Sequence, residues 1–128
     1  MKTEVREYFN KEGFNRWNKI YSDSDEVNGV QLDIRTGHDQ TIQKIINWIK
    51  DDGDIAGKTV CDCGCGVGSL SIPLAKMGAE VSASDISDAM SQEAGRRAKV
   101  SVERQMRWIE MRARVCFACY PYRHALLP

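Results

Sequence analysis

The sequence predicts an α/β fold in which a parallel sheet is flanked by helices. Two strand-like segments, Lys58–Cys63 and Glu80–Asp85, are each followed by a helical pattern. The order strand–helix–strand–helix requires crossover connections, which make consecutive strands parallel and the crossovers right-handed. Ahead of these elements, residues 3–21 carry apolar spacings typical of one or two short helices. At 128 residues, the chain is expected to form one domain at most.

The most regular helical pattern precedes the first strand. Thr36, with Asp39 three residues later, resembles a capping box and predicts the start of this helix, and Gly53 predicts its end. Four isoleucines within it recur at helical spacing and define one apolar face: Ile42, Ile45, Ile46 and Ile49.

The elements that follow are predicted from shorter signals. The strand Lys58–Cys63 is expected to be buried in its middle, and a helix is expected to start near Ser69. Ser87 is predicted to cap a further helix that extends to about Ala98. Residues 100–114 are expected to continue this helix.

Charge and hydropathy exclude several classes of partner. The chain has 18 basic and 18 acidic residues, which removes the electrostatic argument for binding nucleic acid or an anionic membrane. No apolar run approaches the ~18 residues expected of a membrane span. The N-terminus, which has both acidic and basic residues, resembles neither a signal peptide nor a transit peptide. We therefore expect no nucleic-acid partner and no transmembrane segment.

The five cysteines predict free thiols in a reducing compartment, because their number is odd and no secretion signal is visible. A zinc or iron–sulfur site is the alternative, built from Cys61, Cys63, Cys65, Cys116 and Cys119. The first three have C-x-C-x-C spacing within a strand and its loop, where cysteine packs as a small apolar residue. No protein-bound metal is therefore predicted.

The segment after the first strand predicts a ligand site. Gly64, Gly66 and Gly68 remove side chains at alternate positions, so that a ligand can lie against the backbone. Ligands of parallel sheets bind beyond the C-terminal ends of the strands, and the next helix directs its free N–H groups to the same space. A dinucleotide fingerprint would place its third glycine at Ser69, one residue later. A simple glycine turn beside an acidic helix cap is the alternative interpretation.

With Asp62 two residues ahead of the first glycine, the loop resembles motif I of class I methyltransferases, D-x-G-x-G-x-G. The resemblance implies a Rossmann-like sheet and S-adenosyl-L-methionine as the co-substrate. It places Asp62 near the amino group of the methionine portion, Asp85 on the ribose hydroxyls, and Ile86 and Met90 near the adenine. The full set of implied cofactor residues in this region is Asp62, Gly64, Gly66, Gly68, Ser69, Asp85, Ile86 and Met90.

Seven segments carry a further and more specific resemblance: Val5–Asn10, Gly13–Trp17, Ile20–Tyr21, Asp25–Asn28, Val30–His38, Ser69–Lys76 and Val81–Ser87. Over about residues 3–98, the chain is similar to the magnesium-protoporphyrin IX O-methyltransferases. This resemblance implies methyl transfer to a propionate carboxylate of magnesium-protoporphyrin IX, a step of chlorophyll biosynthesis. It implies a plastid location in a eukaryote or a cytoplasmic one in a bacterium, with other chlorophyll-pathway enzymes as candidate partners.

The resemblance also implies roles for the N-terminal arm, which is expected to act as a lid. The family places an arm tyrosine at the active site, and Tyr21 is the matching catalytic position. Arg35 and His38 are assigned to the cofactor side. Three aromatic residues of the arm are interpreted as core packing: Phe9, Phe14 and Trp17.

Three segments are predicted: a helical arm (1–37), the cofactor-binding half of the methyltransferase domain (38–98), and an atypical tail (99–128). The tail carries six basic against two acidic residues, and the resemblance is expected to end after Ala98. We therefore predict a truncated N-terminal part of the fold, with a tail that is out of frame or disordered. The alternative functions are a non-catalytic cofactor- or porphyrin-binding fragment, and a methyltransferase for another small molecule.

Overall fold

The computed structural model describes residues 2–101 and the backbone of residues 109–113. The elements in chain order are α1 (Lys2–Asn10), α2 (Glu12–Ile20), α3 (Gly29–Asp52), β1 (Thr59–Cys63), α4 (Ser71–Lys76), β2 (Glu80–Asp85), α5 (Asp88–Ser101) and β3 (Ile109–Ala113). The described strands form one sheet in the order β1-β2-β3, and both pairings are parallel. The predicted α/β class with a parallel sheet and a helical arm is confirmed.

The core lies where α4 and α5 pack against the middle strand β2. Val81 and Ala83 of β2 are 2% exposed, and Leu74 of α4 is 1% exposed. Ala94 of α5 is fully buried in the same cluster. Because β2 alternates, Val81 and Ala83 face the helices, and the strand end at Asp85 is held at the edge of this core.

The strand β1 is less buried than its sequence predicts. Thr59, Cys61 and Cys63 alternate along the strand and are all exposed, whereas Val60 and Asp62 are half-buried. The expectation of a buried middle is wrong because the described elements cover only one face of β1. Cys61 also forms a disulfide, so the prediction of free thiols throughout is wrong, although Cys63 and Cys65 are not disulfide-bonded.

The N-cap of the long helix α3 lies eight residues before the predicted cap at Thr36. Asn28 is the N-cap: its side-chain oxygen accepts a hydrogen bond from the backbone N–H of Gln31, whose side chain accepts one from the N–H of Asn28 in return. This reciprocal pair satisfies two N–H groups that a helix start otherwise leaves free, so it decides where α3 begins. The predicted division between residues 37 and 38 therefore falls inside α3, and the domain boundaries stay predictions.

The segment after α5 is also corrected. The helix ends at Ser101, and residues 109–113 form β3, paired with β2 in parallel register from Val81↔Ile109 to Asp85↔Ala113. The expected helix over 100–114 is therefore wrong at 109–113. Apolar residues alternate with charged ones in Ile109–Ala113, a two-residue period that favours a strand.

Arg35 of α3 satisfies the carbonyl groups at the end of α2. Its Nε donates to the oxygen of Ile20 at 2.6 Å, and its Nη2 donates to the oxygens of Lys19 at 3.1 Å and Ser24 at 3.0 Å. The last carbonyls of a helix lack partners within that helix. Arg35 therefore joins the arm to α3 and supplies those partners.

Substituting Arg35 by methionine is expected to lower the free energy of unfolding by about 1–3 kcal/mol, because half-buried carbonyl groups lose charged donors. Urea denaturation measures this difference. Lys44→Met, at an exposed position of the same helix, is the matched control and should change the free energy by less than about 0.5 kcal/mol. Equal effects of the two substitutions would contradict the bridging role of Arg35.

Candidate functional site

The glycine loop starts directly at the end of β1 and is tied to the end of β2. The N–H groups of Gly64 and Cys65 both donate to the carbonyl oxygen of Ser84, at 2.7 and 3.0 Å. Gly64 and Gly66 have φ values of 83° and 53°, a region that favours glycine. A Cβ atom added to either would meet nothing within 4 Å. These two glycines therefore border open space that a ligand can enter.

Gly68 has a different role in the loop. Its φ is 87°, and a Cβ atom placed there would lie 3.1 Å from Cδ1 of Ile72 and 3.4 Å from Cβ of Ala94. Its carbonyl oxygen also accepts a hydrogen bond from the N–H of Ile72 at 3.0 Å. Gly68 therefore allows α4 and α5 to approach the loop, and it acts through packing.

Asp85 is held at the C-terminal end of β2 by both of its carboxylate oxygens. Oδ2 accepts a hydrogen bond from the N–H of Gly66 and Oδ1 accepts one from the N–H of Ser87, each at 2.9 Å. Each oxygen of an ionised carboxylate can accept further hydrogen bonds. The carboxylate is thus oriented beside the loop and retains capacity for two hydroxyl groups of a ligand.

A cavity of about 300 Å³ opens at this position. Its lining residues come from the arm, the loop, the end of β2 and α5: Phe9, Trp17, Tyr21, Gly64, Gly66, Asp85, Ile86 and Met90. Six of these eight are site residues predicted from the sequence. The structure therefore brings together a pair of open glycines, a fixed carboxylate and apolar side chains.

Phe9 and Trp17 are the two lining residues that the sequence analysis assigned to core packing. Both are half-buried and face this cavity, so that interpretation is wrong for them. Phe14 is half-buried and is not among the residues that line it. The aromatic content of the arm was the available signal, because aromatic side chains supply large apolar area to a ligand pocket.

Five predicted site residues do not line this cavity. Gly68 and Ser69 border a second cavity of about 410 Å³ between α4, α5 and the end of the arm. Asp62 accepts a hydrogen bond from the hydroxyl of Ser71, with 2.5 Å between Oδ2 and Oγ. Arg35 binds the carbonyl groups that end α2. His38 lies behind the cavity wall, against Tyr21.

An aromatic stack at the cavity wall has Tyr21 at its centre. The rings of Trp17 and Tyr21 have centroids 5.6 Å apart, and those of Tyr21 and His38 are 4.2 Å apart with 30° between their planes. Burial raises the pKa of Tyr21 above its usual value, and the carboxylate of Asp39 adds to the increase. Tyr21 therefore stays a neutral phenol near pH 7 and can donate a hydrogen bond.

The arm is anchored to the start of α5 through Asn10. Its Oδ1 accepts hydrogen bonds from the hydroxyl of Ser87 at 2.7 Å and from the N–H of Ala89 at 3.2 Å. The Ser87 hydroxyl also accepts from the N–H of Met90 at 3.1 Å, so Ser87 caps α5 as predicted. Asn10 and Ser87 are 77 residues apart, and no local pattern in the sequence points to their contact.

A second anchor of the arm is Arg97, which lies further along α5. Arg97 donates from Nη1 to the carbonyl oxygen of Tyr21 at 2.6 Å and from Nη2 to Oδ1 of Asn18 at 2.7 Å. Its Nε donates to Glu93 at 2.9 Å, and Glu93 also accepts two hydrogen bonds from Arg96. The position of Tyr21 therefore depends on a charged cluster that the sequence analysis did not identify.

Comparison with known proteins shows which proteins this chain is similar to. A family model described as "Methyltransferase domain" matches residues 60–119. Over 101 residues, 79% of this chain, the sequence is 58% identical to the chloroplastic magnesium protoporphyrin IX methyltransferase of Arabidopsis thaliana. It is 56% identical over 98 residues to the magnesium-protoporphyrin O-methyltransferase of Synechocystis. The chain is a homologue of magnesium-protoporphyrin O-methyltransferases.

Solved structures of this family agree with the fold. The magnesium protoporphyrin IX methyltransferase of Synechocystis with bound SAH (S-adenosylhomocysteine) superimposes with a TM-score of 0.84 at 49% identity. That match covers 90% of this chain and 52% of the solved one. The same enzyme with bound SAM (S-adenosylmethionine) gives a TM-score of 0.80. The fold is that of the S-adenosylmethionine-dependent methyltransferases.

The chain spans only part of these relatives. It covers 32% of the Arabidopsis protein and 42% of the Synechocystis protein. The family match nevertheless continues past Ala98 to residue 119, and β3 lies within that stretch. The end of the more specific resemblance, to the magnesium-protoporphyrin enzymes, stays a prediction at Ala98; those matches extend over 101 and 98 residues.

The thiol of Cys65, in the glycine loop, is not suited to act as a nucleophile. Burial raises the pKa of the Cys65 thiol to about 12, and the carboxylates of Asp62 and Asp85 contribute to the increase. A thiol with this pKa stays protonated and is a poor nucleophile.

Within residues 2–101, no three His, Cys, Asp or Glu side chains converge as a metal site would require. None of the helices in that range is long and apolar enough to cross a membrane.

The Glu93 cluster predicts a pH dependence of stability. Hydrogen bonds from Arg96, and then from Arg97, lower the pKa of Glu93 to about 2, below the value of ~4.3 expected in an unfolded chain. Because the folded pKa is the lower one, this contribution is full above about pH 5 and is lost as the pH falls toward 2. Denaturation curves at pH 7, 4 and 2.5 should show a smaller acid-dependent loss in Glu93→Gln than in the wild type. Identical losses would contradict a stabilising role for the cluster.

Proposed function

We propose that this chain forms the S-adenosylmethionine-binding part of a methyltransferase that esterifies a propionate carboxylate of magnesium-protoporphyrin IX. The observation that carries the proposal is the cavity in which the oriented carboxylate of Asp85, two open glycines and the arm aromatics meet. Its relatives bear the name of this activity. Because the chain spans less than half of those relatives, the activity of a whole protein remains a proposal here.

Each lining residue has a role in this proposal. Asp85 accepts hydrogen bonds from the two ribose hydroxyls, while Gly64 and Gly66 leave room for the methionine portion. Ile86 and Met90 flank the adenine. Tyr21 covers the reacting end, with its phenol available as a hydrogen-bond donor.

The predicted site residues that do not line the cavity have other roles in this proposal. Asp62 keeps one oxygen for the amino group of the ligand while Ser71 holds the other. Gly68 and Ser69 shape the loop and the start of α4. Arg35 holds the end of α2, and His38 supports the ring of Tyr21. We therefore propose that these last two residues place the arm and do not contact the cofactor directly.

The chemistry requires alignment more than acid–base catalysis. A propionate has an ordinary pKa of about 4.3, by analogy with glutamate, and is ionised at neutral pH. Bound S-adenosylmethionine supplies the methyl group: a carboxylate oxygen–carbon bond forms, the sulfur–carbon bond breaks, and the sulfur leaves as a neutral thioether. The protein aligns these atoms and excludes water. Phe9, Trp17 and Tyr21 provide an apolar cover over the cavity for this purpose.

A methyl-transfer assay tests the proposal. Methyl-labelled S-adenosylmethionine is incubated with the protein and magnesium-protoporphyrin IX, and the labelled ester is separated from the free acid. The dimethyl ester of the same porphyrin is the control substrate, since its propionates cannot accept a methyl group. These 128 residues alone are expected to turn over slowly because they span only part of the relatives. Labelling of the dimethyl ester to the same extent would contradict the proposed acceptor group.

Two other functions correspond to distinct outcomes of this assay. Cofactor binding without methyl transfer, even after the missing portion of a relative is supplied in trans, would indicate a non-catalytic fragment. Transfer to another small molecule would indicate a different acceptor. The relatives come from a chloroplast and from Synechocystis. We infer a plastid or a photosynthetic bacterium as the setting, with other enzymes of chlorophyll synthesis as neighbours.

A further inference from the structure

A continuous path of hydrogen bonds joins the arm, defined here as residues 2–21, to the glycine loop. Asn10 accepts hydrogen bonds from the Ser87 hydroxyl and from the N–H of Ala89. The N–H of Ser87 donates to one oxygen of Asp85, and the other oxygen of Asp85 accepts from Gly66. One arm side chain is therefore connected to the carboxylate of the cavity through a single intervening residue, Ser87.

Ser87 depends on the arm because it is fully buried, with 0% of its surface exposed. Its hydroxyl has two acceptors, Oδ1 of Asn10 at 2.7 Å and the carbonyl oxygen of Phe9 at 3.1 Å. Both belong to the arm. A buried hydroxyl that loses its partners is unfavourable, so undocking of the arm exposes or disrupts the turn that carries Asp85.

The cavity depends on the arm in the same way. Three of its eight lining residues, Phe9, Trp17 and Tyr21, come from the arm, and the others come from the loop, β2, α5 and the turn between them. A ligand in the cavity therefore contacts the docked arm and Asp85 together. A ligand that binds one state better shifts the equilibrium toward that state. The coupling is reciprocal, because docking of the arm must raise the affinity by the same factor.

We propose that Asn10 is a positioning residue that couples docking of the arm to the orientation of the Asp85 carboxylate. Docking of the arm and binding in the cavity then favour each other. The inference rests on the proposed function of this cavity, and S-adenosylhomocysteine is the probe ligand. Asn10 itself does not line the cavity, so its effect on binding passes through Ser87.

Four proteins are compared with the wild type. Asn10→Ala removes the acceptor, and Ser87→Ala removes the same link from the other side. Asn10→Asp keeps an oxygen that can accept both hydrogen bonds. Asn15→Ala is the control, at an exposed position of the same arm. Calorimetry gives the dissociation constant of S-adenosylhomocysteine for each protein. Trypsin cleavage after the exposed residues Lys11 and Arg16, identified by mass spectrometry, reports docking of the arm.

In the wild type and in Asn15→Ala, saturating ligand should slow cleavage at these two positions by about fivefold or more. Asn10→Ala and Ser87→Ala should bind about 5- to 10-fold more weakly. At saturating ligand their arms should be cleaved faster than the arm of the saturated wild type, because only the direct contacts between arm and ligand then favour docking. Asn10→Asp should restore both affinity and protection to within about twofold of the wild type.

Several outcomes would overturn the inference. Wild-type affinity and protection in Asn10→Ala would refute it while leaving the cofactor site intact. Weaker affinity with full protection at saturation would show that Asn10 has a structural role only. If Asn10→Ala does not fold, Ser87→Ala and Asn10→Asp decide the question by the same two readouts. If the folded wild type does not bind the probe, the proposed function fails and this inference fails with it.

Discussion

Replacing Asp85 by asparagine is expected to raise the dissociation constant for S-adenosylhomocysteine by about 10- to 100-fold. The carboxylate is fixed by the N–H groups of Gly66 and Ser87, so both oxygens point where ribose hydroxyls can donate. Hydrogen bonds to a charged group contribute about 1.5–3 kcal/mol, which corresponds to this range of affinity. Asparagine also turns an NH₂ group toward one of the two backbone N–H donors, so the side chain loses its orientation.

Calorimetric titration of Asp85→Asn measures this effect directly. Glu80→Gln is the matched control, because Glu80 is an exposed acid at the opposite end of the same strand. It should bind within about twofold of the wild type, since surface substitutions away from a site have small effects. Wild-type affinity in a folded Asp85→Asn protein would remove Asp85 from the site.

Gly68→Ala is expected to lower the free energy of unfolding by about 2–4 kcal/mol. An alanine at φ 87° is strained, at a cost of about 1–3 kcal/mol. Its Cβ would also lie 3.1 Å from the side chain of Ile72 and 3.4 Å from Ala94, and overpacking of this kind costs about 1–3 kcal/mol. Partial relaxation of Ile72 makes the sum smaller than the two maxima together.

Gly37→Ala is the control for this substitution and should change stability in the opposite direction. Gly37 lies inside α3, and a Cβ atom there would meet nothing within 4 Å. Alanine is favoured over glycine within a helix by about 0.5–1 kcal/mol. Urea denaturation of both variants measures the contrast. A loss below about 0.5 kcal/mol in Gly68→Ala would contradict the packing role assigned to this glycine.

Local signals were sufficient to predict several residues that lie around one cavity. The glycine spacing and the acidic residue at the end of β2 depend only on strand and loop geometry, and the structure places Gly64, Gly66 and Asp85 around one cavity. Apolar alternation also located β2 without error. The same alternation occurs in β3, in a segment that the sequence analysis assigns to a continuing helix. At the start of α3, both the Asn28–Gln31 pair and the Thr36–Asp39 pair have capping-box spacing, and only the first forms the cap.

The attachments of the arm could not be predicted, for a physical reason. Asn10 and Arg97 contact residues more than 70 positions away, and their partners are backbone groups or common polar side chains. Such contacts depend on how helices pack and leave no periodic pattern in the sequence. The exposure of β1 is a similar case, because an alternating strand does not reveal which of its faces a neighbouring element covers.

The chain is expected to bind S-adenosylmethionine at the cavity beside Asp85. Calorimetric titration of the folded wild-type chain with S-adenosylhomocysteine tests it most directly, with NAD⁺ titrated in parallel. We expect one S-adenosylhomocysteine site per chain and no binding of NAD⁺, since the third glycine precedes the position that a dinucleotide fingerprint requires. A folded chain that gives no heat with S-adenosylhomocysteine, or that binds NAD⁺ instead, would contradict the account.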